Sequence, residues 1–130
     1  MNKRLENKLF KKYPKLFPNG RKVDSRKSLM TFGFECDDGW YWLIDKLSED
    51  IQNYTDNNLK HQPIVVQVKE KMGGLRYYLE NGHETIHGMI WFAESLSYSI
   101  CEKCGSLEGK PNDKGWIKTL CPKCRKELKR

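Results

Sequence analysis

No stretch of this 130-residue sequence approaches the eighteen or so consecutive apolar residues that a membrane-spanning helix needs. No membrane association is therefore expected. The N-terminal segment is polar and lysine-rich and lacks the apolar core of a secretory signal, so the expected location is the cytoplasm. Internal repeats and low-complexity tracts are also missing. Histidine is scarce, with three in the chain, and none follows His87. Five cysteines are present, and their placement is telling. Four of the five pair off by spacing and suit a reducing compartment, leaving Cys36 as a lone thiol that reads as a small buried hydrophobe.

Those four are Cys101-Glu-Lys-Cys104 and Cys121-Pro-Lys-Cys124, two C-x-x-C pairs with sixteen residues between them. The spacing matches a structural zinc site. Two thiolates three apart on a tight turn reach one ion, and an intervening hairpin returns the second pair to complete a tetrahedron. A redox dithiol needs only one such pair. Gly105 follows the first pair, where a knuckle needs a residue tolerant of positive φ. Gly109 to Gly115 is a polar loop with turn residues, Trp116 to Leu120 reads as a short strand, and Pro122 sits just inside a helix start. Knuckle, hairpin and helix N-terminus describe a treble-clef-like element, with a hairpin-closed ribbon as the other possibility. One structural Zn²⁺ held by Cys101, Cys104, Cys121 and Cys124 is the expected cofactor. Four protein ligands leave no position open for substrate.

Apolar content of 38% can build a core, and 32% charged residues keep its surface wet. The length fits one compact domain, with an α+β body over residues 1–100 and a zinc element over 101–130 continuous with it. Net charge is +7 but unevenly spread. Residues 1–30 carry ten basic and two acidic side chains, residues 31–100 five and eleven, and residues 101–130 nine and four. Both ends are basic and the middle is acidic.

Periodicity fills in the body. Residues 2–13 form an amphipathic helix with Leu5, Leu9, Phe10 and Tyr13 on one side, ended by Pro14. Residues 29–36 read as a strand. A second helix over 39–54, capped by Asp37 or Asp38, buries Trp40, Leu43, Ile44, Leu47, Ile51 and Tyr54, with Trp42 off that arc. Residues 64–72 and 75–80 form a hairpin turning at Gly73-Gly74. After the Asn81-Gly82 turn, a third helix over 84–100 buries Ile86, Met89, Ile90, Phe92, Ala93, Leu96 and Ile100, and runs into the zinc knuckle. The predicted fold is α+β: helices packed on a small antiparallel sheet, plus the C-terminal four-cysteine zinc element.

His83-Glu84-Thr85-Ile86-His87 spells H-E-x-x-H, which on a buried helix sets two imidazoles beside a general base. Here it occupies a first helical turn, and both histidines point off the apolar arc with Trp91 and Tyr98. Glu94 shares their face but lies seven residues, or about 10 Å, beyond His87. That is too far to share an ion. A catalytic zinc would need a third ligand from elsewhere, such as His61. Proteases of the SprT type do pair this motif with a downstream zinc ribbon.

Phe32-Gly-Phe-Glu-Cys-Asp-Asp-Gly-Trp40, Gln67-Val-Lys-Glu-Lys-Met-Gly-Gly-Leu-Arg-Tyr-Tyr78, Ala93-Glu-Ser-Leu-Ser97, Cys101-Glu-Lys-Cys-Gly105 and Gly115-Trp-Ile-Lys-Thr-Leu-Cys121 together resemble a family of short, mostly uncharacterised zinc-binding proteins encoded by phages and prophages. The blocks keep their order over most of residues 30–124. Related members often place histidine where this chain has Cys124, and the H-E-x-x-H stretch is not part of the shared pattern. The resemblance implies an accessory protein in the cytoplasm of an infected host, without a defined activity.

Two functional readings stay open. A nucleic-acid binder would use Lys114, Trp116 and Lys118 on the zinc element, extended by Lys69, Lys71 and Arg76 on the hairpin. A protein-binding inhibitor or adaptor, acting on a host nucleic-acid enzyme or defence complex, would use the off-core aromatics Trp42, Trp91 and Tyr98. A small H-E-x-x-H metalloprotease is the third and least supported reading. The expectation is a non-enzymatic zinc protein whose partner is nucleic acid or a host protein.

Overall fold

Asn2 opens the first helix by accepting a hydrogen bond from Leu5 N through its side chain, and α1 (Lys3–Lys12) ends before Pro14. The computed structural model describes residues 1–128. Leu9 and Tyr13 are buried as the amphipathic pattern predicts. Glu6 is buried as well, which no apolar period anticipates. Its carboxylate accepts from Phe34 N at 2.7 Å and pairs with Arg21 Nη1 at 3.2 Å. Buried charge persists only with such partners.

The expected strand over 29–36 is mostly not a strand. Ser28 caps a single 3₁₀ turn over Leu29–Phe32, Gly33 follows at φ 71°, and only β1 (Phe34–Glu35) is extended. Gly33 breaks the run for a spatial reason, because any side chain there would overlap the Glu6 carboxylate. A 3₁₀ turn over Asp38–Trp40 then leads into α2 (Tyr41–Asn58). The anticipated aspartate caps are engaged elsewhere. Asp38 accepts from Asn2 N and Nδ2, both at 2.8 Å, and Asp37 pairs with Lys118. The helix continues past Tyr54 to Asn58, where Asn57 and Asn58 side chains donate back to carbonyls four residues earlier. Trp40, Leu43, Ile44, Leu47 and Ile51 are buried as predicted, Tyr54 is half-buried, and Trp42 is exposed.

The hairpin joins β2 (Ile64–Lys71) to β3 (Gly74–Glu80), with an irregularity between Val65 and Gln67. Lys71 pairs with Gly74, so the two-residue turn is Met72-Gly73, one residue earlier than expected. Both turn residues have positive φ, 54° and 84°, the backbone of a tight turn whose twist matches its strands. β1 lies parallel to β2, pairing Phe34 with Val68 and Glu35 with Lys69. The three-stranded sheet is therefore mixed, in the order β1-β2-β3, and antiparallel only within the hairpin. Among the described residues, four helices and this small sheet make the molecule α+β.

Helix α3 (Glu84–Ser97) stops three residues short of the expected end, and a tight turn carries the chain to buried Ile100. Ile86 and Ala93 are buried and Met89 and Ile90 half-buried, but Phe92 and Leu96 are exposed. The expected apolar arc is wider than the stripe that α2 and β3 cover. Ser97 takes a core position instead, its Oγ accepting from Leu75 N at 2.9 Å and donating to Glu94 O. The C-terminal element comprises β4 (Lys110–Pro111), β5 (Thr119–Leu120) and α4 (Pro122–Leu128). Only the last two residues of the predicted Trp116–Leu120 strand are extended.

Candidate metal centre

Ile100 ends the body, and the chain turns at once into a knuckle. Gly105 N donates to Cys101 O and Cys101 N to Ser106 O, each at 2.8 Å, with Gly105 at φ 84°. The β4–β5 pairing of Lys110 with Leu120 and Pro111 with Thr119 returns the chain. Cys121 then precedes α4, and its carbonyl accepts from Arg125 N, so Cys124 lies in the first helical turn. The expected knuckle, hairpin and helix are all present, in that order.

The four Sγ atoms lie within 4.8 Å of one another. Cys104 Sγ and Cys121 Sγ are 3.7 Å apart, far beyond the 2.05 Å or so of a disulfide. A tetrahedral ion with bonds to sulfur of about 2.3 Å sets its ligands about 3.8 Å apart. The cluster therefore fits a metal ion and not a pair of bridges, and all four cysteines are free thiols. Cys101, Cys121 and Cys124 are buried, while Cys104 lies at the rim. Burial opposes ionisation of Cys101, but amide hydrogen bonds from Cys121, Cys104 and Lys103 outweigh it and bring the thiol down to about 7. Burial and the neighbouring thiols push Cys124 up to about 12. One thiolate forms readily and further ones resist, which is the electrostatic demand that a bound cation answers.

The element is fastened to the body at two places. Gly39 N donates to Glu102 O at 2.7 Å, and Asp37 N donates to the Glu102 carboxylate at 3.0 Å. Trp40 Nε1 donates to Ile100 O at 2.9 Å beside them. A methyl on Gly39 would overlap the carbonyl oxygens of Cys101 and Glu102. Glu102, 2% exposed, also pairs with Lys118, which reaches Asp37 too, both at 3.2 Å. At the second place Thr119 Oγ1 donates to Gly73 O at 2.6 Å, so the β2–β3 turn packs on Pro111 and Ile117. Nothing in the local pattern singles out Glu102, an acid between two of the clustered cysteines, as a buried bracket. Gly39 carries a signal only as glycine beside tryptophan.

No family model, no curated protein and no solved structure matches this chain.

The six residues expected to contact nucleic acid or a partner divide into two kinds. Arg76 pairs with Glu94 and reaches Tyr98 OH, and Lys118 is held by Asp37 and Glu102. Neither is a free surface cation. Lys69 is half-buried on β2. Lys71 is exposed beside the turn, and Lys114 and Trp116 are exposed on the β4–β5 loop. Because Gly73 rests on Ile117 and Pro111, the two hairpin ends share one end of the molecule. Asn112 organises that loop, a role that its place in a polar turn does not announce. It donates to Lys114 O and Trp116 O, at 2.6 and 2.9 Å, and accepts from Lys118 N at 2.7 Å.

His83 caps α3, its Nδ1 accepting from Thr85 N at 3.1 Å, with its ring against Tyr54. His87 is exposed one turn on. Among the described residues, the four cysteines are the one group of three or more ligand side chains close enough to share an ion.

Proposed function

We propose that this is a non-enzymatic, phage-type accessory protein of the host cytoplasm, pinned by one structural zinc, that binds nucleic acid through its paired hairpin ends. Zinc is the ion that four thiolates in a closed tetrahedral set favour. The observation that carries the binding role is Trp116. It is 84% exposed, yet the backbone of its loop is held by Asn112 and flanked by exposed Lys110 and Lys114, with exposed Lys71 at the end of β2 beside the adjoining turn. An exposed indole on a hydrogen-bonded loop beside lysines offers a stacking platform and phosphate contacts together.

Titrating a fluorescently labelled single-stranded oligonucleotide tests this. Affinity should fall steeply between about 50 and about 200 mM salt. Trp116→Ala should weaken binding on the order of 10- to 100-fold without altering the fold, in line with the energy of base–aromatic stacking. No binding at low salt, or an unchanged Trp116→Ala affinity, would remove the nucleic-acid reading. A protein-binding inhibitor of host defence is the second reading, favoured by the exposed aromatics on α2 and α3. For an H-E-x-x-H protease, zinc content would have to drop on mutating His83 and His87.

A further inference from the structure

The solvent side of α1 carries cations that little in the fold answers. Residues 1–30 hold ten basic side chains against two acidic ones, and both acids are taken, Glu6 by Arg21 and Asp24 by Arg26. Leu9 and Tyr13 are buried and Phe10 packs on Phe17 and Phe34, which fixes the inner side of the helix. The outward arc is Lys3, Arg4, Asn7, Lys8, Lys11 and Lys12, all exposed. Lys12 reaches Asp45 of α2 at 3.0 Å. Among the described residues, no carboxylate lies within 4.0 Å of Lys3, Arg4, Lys8 or Lys11. Lys8 lies over the Tyr41 ring, 5.6 Å from its centroid, a contact that leaves its charge unpaired.

This placement works against the fold on two counts. Arg4 and Lys8 are four residues apart and Lys8 and Lys11 three, the spacings at which like charges repel along a helix. Lys3 and Arg4 also occupy the first turn, where the helix dipole disfavours cations. Four charges with no internal benefit suit an anion from outside.

The make-up of the face selects that anion. A protein-binding surface centres on apolar or aromatic side chains and is poor in lysine, whereas this one is lysine and arginine throughout. A helix that settles on a membrane gives it an apolar side, and that side of α1 is already in the core. Cations and one amide, with no apolar centre, are the groups that contact phosphate and sugar. Arg4, Lys8 and Lys11 follow one another at single-turn intervals over about 10 Å, a span of about three nucleotides at roughly 3.4 Å each. We propose that the outward face of α1 is a second nucleic-acid contact, in which Arg4, Lys8 and Lys11 hold the phosphate backbone regardless of base sequence. It rests on the nucleic-acid reading above and adds a surface on a different element.

The test follows the affinity of the full zinc-loaded chain for the labelled single-stranded oligonucleotide across a salt series. The triple variant Arg4→Gln/Lys8→Gln/Lys11→Gln removes the row while keeping helix propensity. Its slope of log affinity against log salt should be shallower than wild type's by about 2, at about 0.7 per phosphate contact. Affinity should fall on the order of 100-fold at about 0.1 M salt. The thermal midpoint should not fall, because repulsion along the helix is relieved. Lys22→Gln/Lys27→Gln/Lys60→Gln removes the same net charge from exposed positions off α1 and should keep the wild-type slope. Trp116→Ala should weaken binding yet keep the slope, since it removes a stack and not a charge. An α1 variant whose slope matches wild type overturns the proposal and leaves the role of Trp116 standing. Equal flattening in the two triple variants overturns it as well, because net charge alone then accounts for the loss. A wild type that binds no oligonucleotide at low salt removes both this proposal and the reading beneath it.

Discussion

Gly39 and Glu102 meet where the body touches the knuckle, and neither tolerates much change. Gly39→Ala places a methyl against two backbone carbonyls that cannot swing aside as a side-chain tip could. Overpacking of this kind costs typically 1–3 kcal/mol. The thermal midpoint of the zinc-loaded chain should fall by on the order of 5–10 °C. An unchanged midpoint would mean that the contact gives way freely. A second residue-scale expectation concerns alkali. Burial raises Tyr77 above the ordinary phenol range against a smaller lowering by its hydrogen bond to Ser48, and burial with Asp45 raises Tyr13. The unfolded chain then loses these protons first. Their contribution to stability is complete below about pH 10 and is lost as pH rises beyond it. Denaturant midpoints measured from about pH 9 to about pH 11.5 should decline, and Tyr77→Phe should blunt the decline. Equal slopes in wild type and Tyr77→Phe would exclude Tyr77 as a cause.

Elements differ in how plainly the sequence announces them. α2 and the β2–β3 hairpin are legible because Leu43, Ile44, Leu47 and Ile51 keep a helical period, and because Met72-Gly73-Gly74 sits between two β-rich runs. The four-cysteine element is legible for a different reason: ligand spacing is a covalent fact of the chain. The 29–36 segment is not legible. Its apolar run looks extended until Gly33 must clear a carboxylate 27 positions earlier, a constraint present only in three dimensions. Phe92 and Leu96 mislead for a related reason, since periodicity gives an apolar face but not the width of what covers it. Likewise Arg76 and Lys118 read as surface cations, while Glu94, Asp37 and Glu102 claim them from distant positions. The fastening of element to body yields its own expectation. Chelation should speed amide exchange across residues 101–128 and also at Gly39 and Asp37, whose amides donate to Glu102, while the centre of α2 stays protected. Exchange confined to residues 101–128 would show that the two parts are independent.

Across the whole molecule, the proposed nucleic-acid surface is tied both to salt and to the metal element. The paired hairpin ends combine Trp116 with exposed lysines, so contacts made there weaken as counterions compete. The paired hairpin ends depend on the metal element, which holds the β4–β5 loop and steadies the turn between β2 and β3. The most direct test is metal analysis with X-ray absorption on the chain purified under reducing conditions. About one zinc per chain should be found, with a shell of four sulfurs at about 2.3 Å and no lighter ligand. A chain that retains no metal, or whose zinc shell contains nitrogen or oxygen, would contradict the account at its centre.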